Sequence, residues 1–175
     1  MKKNILIIRC ASERTIEKLL DNINNRYKIE ENSLYCLIQK SFITSYEKKY
    51  PYIKYIEKED GFFNYKSFRK NVRLQNQLKN IYFDEICIPS SYIDFPDFED
   101  VFIIASTIKC KKYILFNVDG EMKEQRLDFI SLWIDKYLGN IIYFIKLIFA
   151  LIGISIIYIL SYPYYFIKKT LFRNR

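Results

Sequence analysis

The side chains able to do acid–base or anion chemistry gather in two stretches. Arg9, Ser12, Glu13, Arg14 and Thr15 follow the apolar run NILII, and Ser90 and Ser91 precede the acidic group Asp94, Asp97, Glu99 and Asp100. Transfer of a group to a substrate hydroxyl needs a carboxylate to take the proton. A phosphorylated co-substrate also needs cations or a helix N-terminus to neutralise it. On that chemistry Glu13 and Asp94 are the candidate catalytic residues, and Arg9, Ser12, Arg14, Thr15, Ser90 and Ser91 the candidate substrate-binding ones. A plainer reading stands beside it: Glu13, Asp97, Glu99 and Asp100 favour the first turns of helices, and Arg9 and Arg14 are surface arginines.

Most other chemistries have no support. The 175 residues include no histidine, which removes the Ser/His/Asp triad, the Cys/His pair and every imidazole metal motif. Cys10, Cys36, Cys87 and Cys110 show no CxxC spacing and follow no secretory signal. Reduced core thiols in a cytoplasmic compartment are therefore expected, and no metal. The loop after NILII lacks a GxGxxG fingerprint, so no dinucleotide cofactor is expected.

The elements that must position these residues alternate along the chain. NILII, residues 4 to 8, reads as a buried parallel strand, and Ser12 is placed to cap a helix with Ile16, Leu19, Leu20 and Ile23 on one face. LYCLI is a second strand, SFITSYEKKY a short helix and YIKYIEK a third strand, followed in GFFNYKSF by a turn with a short strand or extended loop. Phe68, Val72, Gln75 and Leu78 set a helix at about 66–80, and DEICIP is the fourth strand. PDFEDVFIIASTIKCK, with acids in its first turn and lysines in its last, is a helix, and KYILFNV the fifth strand. The expectation is an α/β fold: one Rossmann-like parallel-sheet domain over residues 1–122, with about five strands in the order 3-2-1-4-5. In that order the loops after the first and fourth strands flank the crevice where ligands bind, which would bring the two stretches together.

The net charge of +8 is uneven: residues 1–122 carry 20 basic and 17 acidic side chains, residues 123–175 carry 8 and 3. No aromatic-interleaved basic stripe marks a nucleic-acid site, so no nucleic-acid partner is expected, and a basic tail beside apolar sequence points to a membrane surface. Residues 147–167, LIFALIGISIIYILSYPYYFI, contain no charge and at about 1.5 Å per residue match roughly 30 Å of hydrocarbon. They are expected to form a C-terminal membrane helix, or a re-entrant hairpin bent near Gly153 or at Ser161-Tyr162-Pro163. Residues 123–146 read as an amphipathic interfacial helix and 168–175 as a basic tail. Trp133, Lys146, Lys168 and Lys169 are the expected membrane-interface residues, with the folded domain on the cytoplasmic side.

The segment order resembles the N-terminal half of family-nine glycosyltransferases, the heptosyltransferase group of two-domain GT-B enzymes, over about residues 3–122. NILIIR is similar to that family's first strand. YPYIKYIEK resembles its Asn-Pro-hydrophobic step into the third, LKNIYFDEICIPSS its helix and fourth strand, and FEDVFIIASTIKCKKYILFNVDGE the helix and strand that close the half. Two departures bear on chemistry. The family's Gly-Asp pair after the first strand falls here on Arg14 and Thr15, and Glu13, two residues from that aspartate's register, points about 200° away on a helix. The half that binds the nucleotide sugar in such enzymes has no counterpart, and the apolar segment stands in its place.

The resemblance implies a membrane-anchored glycosyltransferase-like subunit for cell-surface polysaccharide or lipid-linked glycan. It would work on the acceptor side, with a polyprenyl-linked or glycolipid acceptor, membrane lipid around its anchor and a partner chain supplying the nucleotide-sugar domain. Two alternatives remain: an inert membrane scaffold that recruits glycan-assembly enzymes, and a monotopic enzyme acting alone on a polyprenyl phosphate, for which Asp84-Glu85 is the nearest acidic pair.

Overall fold

A computed structural model describes residues 2–27 and 32–173. It divides into two units, Met1–Leu132 and Trp133–Arg175. The first is an α/β unit built on one six-stranded sheet in the order β3-β2-β1-β4-β5-β6. Its strands are β1 (Asn4–Ile8), β2 (Ser33–Gln39), β3 (Lys54–Lys58), β4 (Phe83–Pro89), β5 (Cys110–Phe116) and β6 (Met122–Gln125). The first five are parallel, and β6 runs antiparallel to β5.

The expected sheet had five strands. The sixth, MKEQ, is short, half charged and at an edge, so it carries no apolar run to betray it. Residues 122–125 thus belong to the sheet rather than to the interfacial segment expected from residue 123. Asp119 and Gly120, with Gly120 at φ 89°, close the β5–β6 hairpin.

Both faces of the sheet are covered, which is why β1 is apolar at every position after Asn4. Alternate residues serve opposite layers. Ile5, Ile7, Leu34, Cys36, Ile38 and Cys87 pack with Ile16, Leu19, Leu20 and Ile23 of α1 (Glu13–Tyr27) and with Tyr46 of α2 (Ile43–Lys49). Leu6, Ile8, Leu37, Ile86 and Ile88 pack with Leu74, Leu78, Val101, Ile104 and Ala105 of the helices on the other face. Each buried Ile or Leu stabilises the unit by roughly 1.5–3 kcal/mol relative to leaving it in water.

Three local departures from the sequence reading have physical causes. The helix expected at 66–80 is two, α3 (Tyr65–Lys70) and α4 (Val72–Lys79), because the Asn71 side chain turns back to accept the Leu74 amide at 3.0 Å and starts a new helix. The extended stretch expected through GFFNYKSF ends at Asn64, whose side chain caps α3 by accepting the amides of Lys66 and Ser67 at 3.0 and 3.2 Å. Helix α5 spans only Glu99–Ser106, so Lys109, Lys111 and Lys112 lie beyond it, the last two in β5. The acids at its start, Glu99 and Asp100, do occupy its first turn.

Helix α6 spans Phe129–Arg173, with Asp128 accepting the Ser131 amide at its start. The re-entrant hairpin considered for this segment does not form: both Gly153 and Ser161-Tyr162-Pro163 lie inside one continuous helix. Ile141–Pro163, 23 residues, is long and apolar enough to cross a membrane by length and composition, and its described side chains are largely exposed. Lys146, expected at the edge of the apolar segment, falls within this stretch. Trp133 stacks on Tyr137 with ring centroids 5.3 Å apart. The side chains of Lys168 and Lys169 lie outside the described residues.

Candidate functional site

Strand order reverses beside β1, whose following helix goes to one face while the helix after β4 goes to the other. The loops leaving β1 and β4 therefore part and open a crevice at the carboxyl ends of the strands. The two loops remain joined at one point: the Ser12 amide donates to the Ser91 hydroxyl at 2.7 Å. Ser12 and the buried Thr15 share a hydroxyl contact of 2.9 Å, and the Ser12 hydroxyl caps α1 by accepting the Thr15 amide at 3.4 Å. Ser90, fully buried, donates to the Asp94 carbonyl at 2.9 Å and accepts the Tyr92 amide at 3.1 Å. All four hydroxyl candidates thus hold the loops in shape.

Beside this join lies a cleft of about 480 Å³, within the roughly 300–1,000 Å³ typical of small-molecule sites. Arg9 and Cys10 reach it from the end of β1, Gln39 from β2, Phe62 to Asn64 from the loop after β3, and Pro96 to Phe98 with Asp100 and Val101 from the segment after β4.

Arg9 is its cationic group. The guanidinium lies 3.7 Å from the centre of the Phe42 ring and 5.1 Å from that of Tyr46, and donates from one terminal nitrogen to Gln39 Oε1 at 3.3 Å. Arg9 Nε is buried without a hydrogen-bond partner, and among the described residues Arg9 pairs with no carboxylate. Burial raises the pKa of the nearby Tyr46 phenol, against the pull of Arg9.

The other polar groups are committed in different degrees. Asp100 accepts the Tyr65 amide at 3.0 Å and so fixes the start of α3. Asp97 is exposed at the rim, in the left-handed region at φ 59°. Cys10 donates to the carbonyls of Ile8 and Pro89 at 3.2 and 3.1 Å, and burial raises its pKa far above the ordinary thiol value, so it is no thiolate nucleophile.

Of the residues singled out in the sequence, the cleft gathers Arg9, Asp97 and Asp100. Glu13 is elsewhere, bound to Lys49 of α2, which also holds Glu17 at 2.6 Å. Arg14 and Asp94 are exposed and do not line the cleft. The sequence reading missed Gln39, Phe62, Phe63 and Asn64. A signal for the loop was present in Gly61, at φ 97°, followed by two phenylalanines of which Phe62 is 97% exposed.

The pair Asp84-Glu85 lies at the opposite, amino end of the sheet. Glu85 is fully buried and accepts the Tyr27 hydroxyl, with Lys112, Lys3 and Arg26 at 3.3, 3.7 and 3.7 Å; Asp84 accepts the Asn4 amide at 2.9 Å. Among the described residues no cluster of three or more Cys, Asp or Glu side chains is placed to hold a metal ion.

Compared with protein-family models, with curated proteins and with solved structures, the chain has no match in any of the three. The site is therefore read from its own geometry: an α/β sheet with a cleft at its carboxyl edge, in a chain that also carries one long apolar helix.

Proposed function

We propose that this chain is a membrane-anchored, glycosyltransferase-like subunit of cell-surface polysaccharide or lipid-linked glycan biosynthesis. In this reading its Rossmann-like, GT-B-type domain lies on the cytoplasmic side, binds the acceptor and depends on a partner chain for the nucleotide-sugar domain. The observation that carries the proposal is the cleft beside the strand-order reversal, with Arg9 held in it and, among the described residues, paired with no carboxylate. Such a group suits an anionic acceptor, and Ile141–Pro163 would keep the domain beside lipid-linked acceptors. Four free cysteines fit a reducing compartment. The stretch around Trp133 and Tyr137 would lie at the headgroups, leading into the anchor.

Within this reading the anion on Arg9 is the acceptor's lipid phosphate, the nucleophile is a hydroxyl of the sugar that phosphate carries, and the hydroxyl proton would go to a carboxylate at the cleft. Asp97 at the rim is better placed than Glu13, which would first have to leave Lys49. That same ion pair, with the four hydroxyls committed to loop contacts, favours a second reading in which the domain binds without catalysing.

The test is affinity capture of the full-length chain from detergent-solubilised native membranes, with label transfer from nucleotide sugars as the readout. The subunit reading expects a second chain bearing a nucleotide-sugar domain, and transfer only with both chains present. Asp97→Asn should abolish the transfer. Glycan enzymes recovered with activity indifferent to Arg9→Gln and Asp97→Asn would establish the scaffold instead, and an anchor removed by alkaline carbonate would overturn both.

A further inference from the structure

The cleft carries one cation, Arg9, two carboxylates, Asp97 at the rim and Asp100, and an apolar lining that includes Phe62, Phe63 and Phe98. Arg9 stacks on Phe42 and is tied to Gln39, so its plane is fixed before any ligand arrives. Phe62, Phe63, Phe98 and Val101 line the cleft with it. Asp100 is occupied in holding α3, and Asn64 in capping it.

Two features point to a ligand rather than to packing. Among the described residues Arg9 has no carboxylate partner, so its charge is left for an oxyanion that reaches the terminal nitrogens from the cleft. Phe62 is almost wholly exposed at the cleft edge, which leaves an apolar surface at the mouth unpartnered.

We propose that this cleft binds a prenyl phosphate, its phosphate on the Arg9 guanidinium and its hydrocarbon chain along Phe62, Phe63 and Phe98. The proposal deepens the acceptor-side reading and rests on it for the choice of lipid. A planar guanidinium offers two parallel N–H donors to phosphate oxygens, which a lysine ammonium does not. Its stack on Phe42 uses the face of the group and leaves its edge available. Of the polar groups lining the cleft, Gln39, Asn64 and Asp100 already hold protein partners and Asp97 stands at the rim, whereas Phe62, Phe63 and Phe98 are apolar, so a hydrocarbon chain is the better match than a nucleoside.

The experiment is titration of the full chain in nanodiscs with farnesyl phosphate, followed by calorimetry, with farnesol, inorganic phosphate and a nucleoside diphosphate as separate probes. Farnesyl phosphate should bind, with affinity lowered about tenfold or more by Arg9→Gln and by Arg9→Lys. Phe62→Ser should weaken farnesyl phosphate but leave any inorganic phosphate binding unchanged. Farnesol uptake should be indifferent to Arg9. The unfolding midpoint of Phe62→Ser should match that of the wild type, since Phe62 is exposed, and those of the Arg9 variants should fall only slightly, with the loss of one hydrogen bond and the stack on Phe42. Equal affinity for farnesyl phosphate in wild type and Arg9→Gln would overturn the proposal, as would tighter binding of the nucleoside diphosphate. Farnesyl phosphate binding that depends on Arg9, in a chain that recovers no donor-domain partner and supports no transfer, would keep the site and refute the subunit function. Partner-dependent transfer without such binding would do the reverse.

Discussion

The Ser12 amide donates to the Ser91 hydroxyl across 2.7 Å, joining the loop after β1 to the loop after β4 where their helices diverge. The contact is partly open to water, so its loss should be mild. Ser91→Ala should lower unfolding free energy by about 0.5–1 kcal/mol in urea titration. Ser90→Ala should cost more, about 1–3 kcal/mol, because it strands the Asp94 carbonyl and the Tyr92 amide, which the fully buried Ser90 hydroxyl serves. Equal effects would mean that the loop holding Asp94 is not anchored through Ser90.

At the opposite end of the sheet, Glu85 should show an asymmetry. Its carboxylate is fully buried while its three cations are each about one-third exposed. Glu85→Leu leaves cations that can turn to water, and should change stability by less than about 1 kcal/mol. Removing cations does the opposite: Arg26→Met with Lys112→Met should cost about 3 kcal/mol, since the carboxylate then loses two of its compensating charges. Thermal unfolding of the two variants side by side decides between these outcomes.

Tyr27 links that cluster to pH. Burial, and then its bond to Glu85, raise its pKa to about 12, against about 10 for an unfolded tyrosine. Between those values the folded chain keeps a proton that the unfolded chain releases, so the unfolded state binds fewer protons and stability falls as pH rises. The contribution is complete below about pH 10 and is lost by about pH 12. Burial raises Tyr46, Tyr50, Tyr52 and Tyr113 as well, so the slope should persist in part. Melting temperatures measured from pH 9 upward should fall less steeply in Tyr27→Phe than in the wild type; identical slopes would contradict the Tyr27–Glu85 bond.

Asp97 occupies left-handed backbone at φ 59°, a conformation that costs a β-branched residue about 1–2 kcal/mol. Asp97→Val should therefore lose that much stability, and Asp97→Gly should lose none. If the valine variant is as stable as the wild type, the rim of the cleft is not held in this conformation.

What the sequence makes legible follows from how far each signal reaches along the chain. β1 and β4 announce themselves because both faces of the sheet are covered, so that Ile5 to Ile8 and Ile86 to Ile88 form unbroken apolar runs. β6 has no such requirement, and only Asp119-Gly120 hints at it. Asn71 falls within the periodicity of a single helix, while its backbone amide ends one helix and its side chain begins another. The crevice itself follows from strand order, yet its occupants do not. Glu13 leaves for Lys49, 36 positions away, and Arg9 owes its posture to Phe42, a partner that no local spacing reveals. Local chemistry placed the acids and hydroxyls near the right loops, and long-range packing then decided which of them face the cleft.

The central claim is that Arg9 presents an anionic, lipid-linked acceptor to a sugar donor bound by another chain. The direct measurement is the initial rate of labelled sugar appearing in the lipid-extractable fraction, with the full chain and its co-captured partner in native-lipid nanodiscs. Transfer should require both chains, and Arg9→Gln should reduce it about tenfold or more at low acceptor concentration. Transfer by the partner alone at the full rate, or a rate unchanged by Arg9→Gln, would contradict the account.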